Sequence, residues 1–237
     1  MRKAICMESV AAIREEDSKG VAMVSQALYG ETMTVLETRK QSAKIELDWD
    51  RTQGWIDLSQ IVILESGDSV ESSSSCLSKR FAQMKDEDSI LLLSLGSEIV
   101  SKEPEENTSK RKKLEALALE MVGVPYLEAG RSSFGLDGSA LVQLIFKAIG
   151  LRLPRFAKEQ SELGEVLSFV EEAEVGDVAF FEDAEGQIVH AGIMMENQKI
   201  VHVYGRVRMD CLDSTGIFNS ELNTHSHKLR FIKRILD

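Results

Sequence analysis

Cysteine is scarce in this 237-residue chain, long apolar runs are lacking and there is no excess of positive charge, and each of these excludes something. Cysteine occurs at Cys6, Cys76 and Cys211 only, an odd number with no CxxC spacing. Neither a disulfide framework nor a zinc ribbon is indicated, and the three read as buried or loop thiols. No apolar run is long enough to cross a bilayer, and the N-terminal MRKAICMESVAAIREEDSK lacks a signal core with a small-residue cleavage site. As given, the chain reads as cytoplasmic; a chain trimmed of a signal peptide, and so periplasmic, would look the same. The formal charge of -11 and pI near 5.0 disfavour a nucleic-acid partner, which calls for a basic face. The basic stretch near the C-terminus, KLRFIKRIL, alternates from Leu229 through Phe231 to Ile235 and reads as a closing strand with solvated charges.

What the chain does contain is ordinary globular material: 43% hydrophobic and 28% charged residues, enough to bury a core and far from the disordered class. Residues 1–100 hold short apolar segments between turn signals, ALYGETMTVLET, AKIELDW and QGWIDLSQIVIL, then SILLLSLGSEI. Val35, Leu36, Ile45, Leu47, Trp55 and Ile56 lie in strand-like surroundings, so this part predicts a small all-β barrel, with a serine-rich surface insertion near residues 65–80. Trp55, beside Gly54, reads as barrel packing or as facing a cleft between domains. A polar linker at 101–108 leads into a second domain, 109–237. It opens with a helix from about Ser109 to Val122, carrying Leu114, Leu117, Ala118 and Met121 on one face and ending at Gly123 and Pro125. A second helix follows Asp137, and strand candidates DVAFFED, IVHAGIMME, KIVHVYG and KLRFIKRIL follow that. Helices first and antiparallel strands after predict an α+β fold.

The start of the second helix, FGLDGSALVQLIF, is anomalous. Asp137 and Ser139 suit a helix start, because their oxygens accept bonds from free N–H groups of the first turn. Gly138 between them weakens helix propensity by about 1 kcal/mol against alanine. A cysteine at such a position sits on the positive end of the helix dipole and ionises readily to a nucleophile. The partners such a thiol needs are present downstream. His190 suits a general base and His202 an orienting group, although strand histidines taken alone are more often plain core or surface residues.

These segments resemble the NlpC family of papain-like cell-wall cysteine peptidases, and among them the γ-D-glutamyl-L-diamino acid endopeptidases with an N-terminal bacterial SH3-like domain. That family shows PYxWGG, FGxDCSG, LPR, GD-hydrophobic-FF and HVGI motifs, then a second His. The chain offers PYLEAG, FGLDGSA, LPRFAKEQ, GDVAFF, HAGI and KIVH in the same order. The resemblance covers nearly all of the chain, most specifically Val124 to Asp237. It implies an SH3-like barrel followed by a papain-like domain of helices packed on an antiparallel sheet. It also implies that Gly138 stands where the family has its cysteine, with His190 as base and His202 as orienter. Asp137 and Ser139 match residues that hold the free amino end of an L-Ala-γ-D-Glu stem peptide, and Tyr126 matches a tyrosine near the oxyanion site. Departures cluster there too: Glu128 for tryptophan, Ala129 and Ala140 for glycine, and RTQGW without the tyrosine often found before GW. Glu128 is either a solvated loop carboxylate or part of the altered pocket, where its charge favours a cationic group.

Three readings follow. The first expects a pseudoenzyme that binds a peptidoglycan-derived peptide without cutting it, since losing the thiolate removes the covalent step. The second is an active peptidase whose natural form has cysteine where Gly138 stands. The third is a metal-assisted hydrolase using His190, His202 and a carboxylate such as Asp137 or Glu128. The favoured reading requires no cofactor and no metal.

Overall fold

Alternation writes the first domain. In Ser42–Leu47 the residues Ala43, Ile45 and Leu47 are fully buried while Lys44 and Glu46 turn outward, as a strand with one buried face requires. The computed structural model describes residues 2–18, 20–65, 74–86, 89–100 and 108–236; the centre of the serine-rich stretch and residues 101–107 of the linker lie outside them. Strands β1 (Arg2–Cys6), β2 (Val10–Arg14), β3 (Met23–Leu28), β4 (Thr32–Thr38), β5 (Ser42–Leu47), β6 (Gln53–Asp57) and β7 (Ile61–Ile63) form one antiparallel sheet in the order β3-β2-β6-β5-β4-β1-β7. Its core gathers Ile13, Met33, Ile45, Leu47 and Ile56. Each such side chain, fully buried, stabilises by about 1.5–3 kcal/mol. Trp55 is packing: it is 8% exposed, with the Arg39 guanidinium 4.1 Å above its ring. Two small ribbons follow, β8 (Ser74–Cys76) paired with β11 (Glu98–Val100), and β9 (Phe81–Asp86) paired with β10 (Ser89–Ser94).

In the second domain α1 (Lys110–Glu120) is capped by the Ser109 side chain. The short pair β12 (Arg131–Ser132) and β13 (Gly135–Leu136) leads to α2 (Gly138–Ala148), and α3 (Ala157–Gln160) follows. Strands β14 (Glu165–Val166), β15 (Val178–Glu182), β16 (Ile188–Met195), β17 (Lys199–Tyr204), β18 (Arg206–Leu212), β19 (Gly216–Asn219) and β20 (Thr224–Arg234) form the second sheet. Its order is β14-β20-β15-β16-β17-β18-β19, and β19 also pairs with β20, so β15 to β20 close into a six-stranded barrel. Alternation divides the barrel residues between two cores. Val178, Phe180, Ile193 and Val201 pack with α1 and α2, while Ala179, Phe181, Met194 and Ile200 join Leu212, Ile217 and Ile232 in a core of their own. The solvated charges expected on the closing strand are there: Lys228 and Arg230 pair with Glu182, and Arg234 with Asp177.

Helix α2 is buried almost all round because it lies between the barrel and the first domain. Its two long polar residues reach the first domain instead of water: Lys147 Nζ is 2.6 Å from Glu31, and Gln143 donates to Asp50 at 2.9 Å. Arg131, with no exposed surface, grips both oxygens of Glu31 at 2.8 Å each. Leu28 and Leu95, from outside the papain-like part, join the core around α2. Among the described residues no helix is long and apolar enough to cross a membrane.

Candidate functional site

Asp137 caps α2 as its sequence position predicts. Its backbone is extended (φ -98°, ψ 176°), and its carboxylate accepts from Ala140 N at 2.8 Å and Ser139 Oγ at 3.0 Å. The same carboxylate takes two bonds from Arg155, at 2.7 and 3.0 Å. Arg155 is 1% exposed and also donates to Ser139 Oγ, Ser25 Oγ and Gly130 O. The pair expected to hold a peptide amine is thus tied into a network, with Asp137's side chain still 22% exposed. A cationic group arriving there shares Asp137 with Arg155.

Gly138 begins α2 at its buried N-terminal end, facing His190. A Cβ at position 138 would lie 2.7 Å from both Cε1 and Nδ1 of His190, and 3.0 Å from Ala191 O. The imidazole therefore occupies the space a nucleophile's side chain would take. His190 is held on β16 opposite Phe181, whose ring is 5.6 Å from its own. Its Nε2 is 3.2 Å from Nδ1 of His202, and His202 Nε2 is 2.9 Å from Asp210 Oδ2. The register explains the set. His202 pairs with Arg208, and Ile200 with Asp210, so His202, Arg208 and Asp210 share one face of β17 and β18. Arg208 fixes Asp210 with contacts at 2.6 and 3.0 Å.

Protonation follows from these contacts. Burial holds His202 below the usual histidine range despite the opposing pull of Asp210. Burial, with His227 and His202 close by, pushes His190 well below it. Burial would raise Asp210, but bonds from Arg208 and His202 hold its carboxyl low. With both rings neutral and Asp210 ionised, His202 donates Nε2–H to Asp210 and accepts from His190 Nε2–H at Nδ1. That leaves the lone pair of His190 Nδ1 aimed at position 138. The Asp210–His202–His190 chain thus directs a proton-accepting nitrogen at a position that carries no side chain.

The remaining expected residues lie on the loop before α2. Tyr126 is 51% exposed; its hydroxyl is pushed up by burial and by the nearby charges of Glu128 and Asp137. Glu128 is exposed, which favours the solvated-loop reading over a place in a closed pocket. Ala129 keeps a left-handed backbone, φ 57°, at the place where the family pattern has glycine. Near this loop a cavity of about 330 Å³ is lined by Glu8, Ser9, Val10 and Gln26 of the first domain and by Leu127, Ser132 and Phe134.

Comparison with known proteins fits this geometry. Residues 123–225 match the model of the NlpC/P60 family, and residues 13–61 match that of the bacterial dipeptidyl-peptidase SH3 domain. The chain carries an NlpC/P60 domain. Over 83 residues it is 37% identical to the gamma-D-glutamyl-L-lysine dipeptidyl-peptidase of Bacillus subtilis, covering 34% of this chain and 28% of that protein. A probable endopeptidase of Haemophilus influenzae is 36% identical over 89 residues, covering 37% of this chain and 55% of the relative. The chain thus spans about a quarter to about half of the length of these relatives. The crystal structure of an NlpC/P60 family protein from Bacillus cereus superposes with a TM-score of 0.81 at 17% identity, covering 99% of this chain and 100% of that one. The likeness establishes the shared fold: an SH3-like sheet domain followed by an NlpC/P60 domain.

Within the NlpC/P60 domain, His190 and His202, singled out in the sequence, lie beside Gly138, together with Asp210, Arg208 and His227, which the sequence did not single out, while Arg155 holds Asp137. Arg155 stood in the LPR segment and Asp210 eight residues beyond His202, but only the folded chain shows that they reach the site, Arg155 through its bonds to Asp137 and Asp210 through the β17–β18 register. His227, on β20, stacks on His190 with centroids 4.2 Å apart and an interplanar angle of 23°. Nothing in THSHKLR marked it, since β20 is brought back to β15 by barrel closure. Cys6, buried, and Cys76 have thiols pushed up by burial to about 12 and about 11, which makes them poor nucleophiles.

Proposed function

We propose that this chain is a non-cleaving peptide-binding member of the NlpC/P60 hydrolases, holding cell-wall stem peptides of the L-Ala-γ-D-Glu-diamino acid class. The observation that carries the reading is at position 138. Gly138 supplies no nucleophile, and the His190 ring fills its place. Without a thiolate, no acyl-enzyme forms. Three features support the ligand class: the dipeptidyl-peptidase relatives, the Asp137–Ser139 pair at the head of α2, and the cavity between Gln26, Leu127 and Phe134.

The test is titration of the chain, as given, with L-Ala-γ-D-Glu-diamino acid peptide in a calorimeter, followed by mass analysis of the recovered peptide. Saturable heat with intact peptide is the expected result. Cleaved peptide would overturn the non-cleaving reading, and an absence of both heat and cleavage would overturn the ligand. The intact Asp210–His202–His190 relay favours a second reading, a peptidase active when cysteine occupies position 138. Strong cleavage by Gly138→Cys would support that reading; an inert Gly138→Cys would restrict the chain to binding.

A further inference from the structure

Three histidines from three strands of the barrel converge where the nucleophile is missing: His190 on β16, His202 on β17 and His227 on β20. One ring nitrogen of each lies within 4.8 Å of the others. We infer that His190, His202 and His227 form a binding site for a zinc-type divalent cation. This differs from the site the sequence suggested, which paired two of these histidines with a carboxylate of the loop or cap.

The geometry supplies the argument. In a tetrahedral zinc centre with Zn–N bonds of about 2.0–2.1 Å, neighbouring nitrogens are about 3.3 Å apart. His190 Nε2 and His202 Nδ1 already stand at 3.2 Å. His202 is braced as metal-binding histidines usually are, its far nitrogen bonded to a carboxylate, Asp210, which Arg208 fixes in turn. The third ring must move. His227 lies parallel to His190, and stacked rings cannot both aim nitrogens at one ion. Its Nδ1 bonds to Ser226 Oγ at 2.8 Å, leaving Nε2 to turn inward, and as a half-buried residue it offers the ion a path from solvent.

The proton now shared between His190 and His202 has somewhere to go. When the ion takes Nε2 of His190, that proton moves to Nδ1, which faces the side-chain-free Gly138. Three imidazoles leave a fourth coordination position for water or for a donor atom of a bound ligand. The glycine thereby acquires a second role. It admits the ring that a cysteine would push aside.

The experiment uses untagged protein stripped with chelator and titrated with Co2+, followed by the visible absorption of tetrahedral cobalt, then by Zn2+ competition. The expected result is one Co2+ per chain, displaced by Zn2+. His227→Phe keeps an aromatic ring against His190 but removes the ligand, and His227→Gln removes it without the ring; both are expected to abolish stoichiometric uptake in chains that melt cooperatively. Asp210→Asn is expected to weaken affinity by roughly 10–100-fold. His225→Gln, at an exposed histidine paired with Asp213, is expected to change nothing. No stoichiometric uptake by the parent chain would overturn the site, as would uptake surviving both His227 variants or lost in His225→Gln.

Discussion

Replacing Glu31 with glutamine tests whether the first domain is held to the second by a buried charge network. Glu31 is 1% exposed. It accepts two bonds from Arg131, one from Lys147 Nζ at 2.6 Å and one from Leu28 N at 2.9 Å. Glutamine keeps the volume but removes the charge. Arg131 keeps its bonds to Gln143 and to Gln26 O but has no carboxylate nearer than Asp50 at 3.8 Å, and Lys147 keeps Glu98 at 3.0 Å. Breaking a buried pair this way costs about 3–5 kcal/mol, because the surviving cations stay out of water with too little compensation. Against a total stability of about 5–15 kcal/mol this is large. For a chain of this size it lowers the melting temperature by roughly 6–20 °C, at about 2–4 °C per kcal/mol.

Calorimetry and urea unfolding at neutral pH measure the change, with Glu37→Gln as the control. Glu37 pairs with Arg39 at 2.9 Å, but both side chains are 50% exposed, so solvent screens the pair and its loss should shift the melting temperature little. Equal, small shifts for the two variants would refute the reasoning. Acid provides a second reading of the same group. Burial alone would raise the Glu31 carboxyl, but Arg131 and Lys147 hold it down at about 2. Its folded value lies below the unfolded one, so its contribution is complete above the ordinary glutamate range, about 4.3. That contribution is lost as pH falls from there towards 2, where the unfolded chain binds the extra proton first. The stability of Glu31→Gln should therefore fall less steeply than that of the parent over this window.

Two further substitutions probe the loop and helix around position 138. Gly138→Ala gains about 1 kcal/mol of helix propensity but places a methyl 2.7 Å from the His190 ring. Overpacking of about 1–3 kcal/mol outweighs the gain, so urea denaturation should show net destabilisation; a more stable variant would mean that the ring turns freely. Ala129→Gly relieves a left-handed alanine at φ 57°, a strain of about 1–2 kcal/mol, against a loss of about 0.4–1 kcal/mol from a freer unfolded chain. A gain of about 0.5–1 kcal/mol is expected, and a loss in the same denaturation assay would show that the loop is held by something other than backbone preference.

Much of the architecture could be read from local pattern. Val35, Ile45, Leu47 and Ile56 revealed the first domain, because a half-buried strand repeats every two residues. Leu114, Leu117 and Ala118 revealed α1 by the helical period. The ordered motifs around Gly138, His190 and His202 placed the site on a helix start and two strands. Barrel closure was not legible. RVRMDCL alternates polar and apolar residues from Arg206 to Cys211, as a half-buried strand does, but nothing in it says which strand it pairs with, and GIFN is too short to show a period. Without those strands neither Asp210 nor Arg208 has a reason to lie beside His202.

The sequence by itself determined that position 138 carries no side chain, and that a helix-capping aspartate precedes it and two strand histidines follow it. Tertiary structure alone decided what became of the gap. Strand register brought Asp210 to His202, closure of β20 onto β19 laid His227 against His190, and Glu31, Arg131 and Lys147 met inside the molecule. Most of those contacts join residues remote in the chain, and their chemistry depends on distances that local periodicity does not encode.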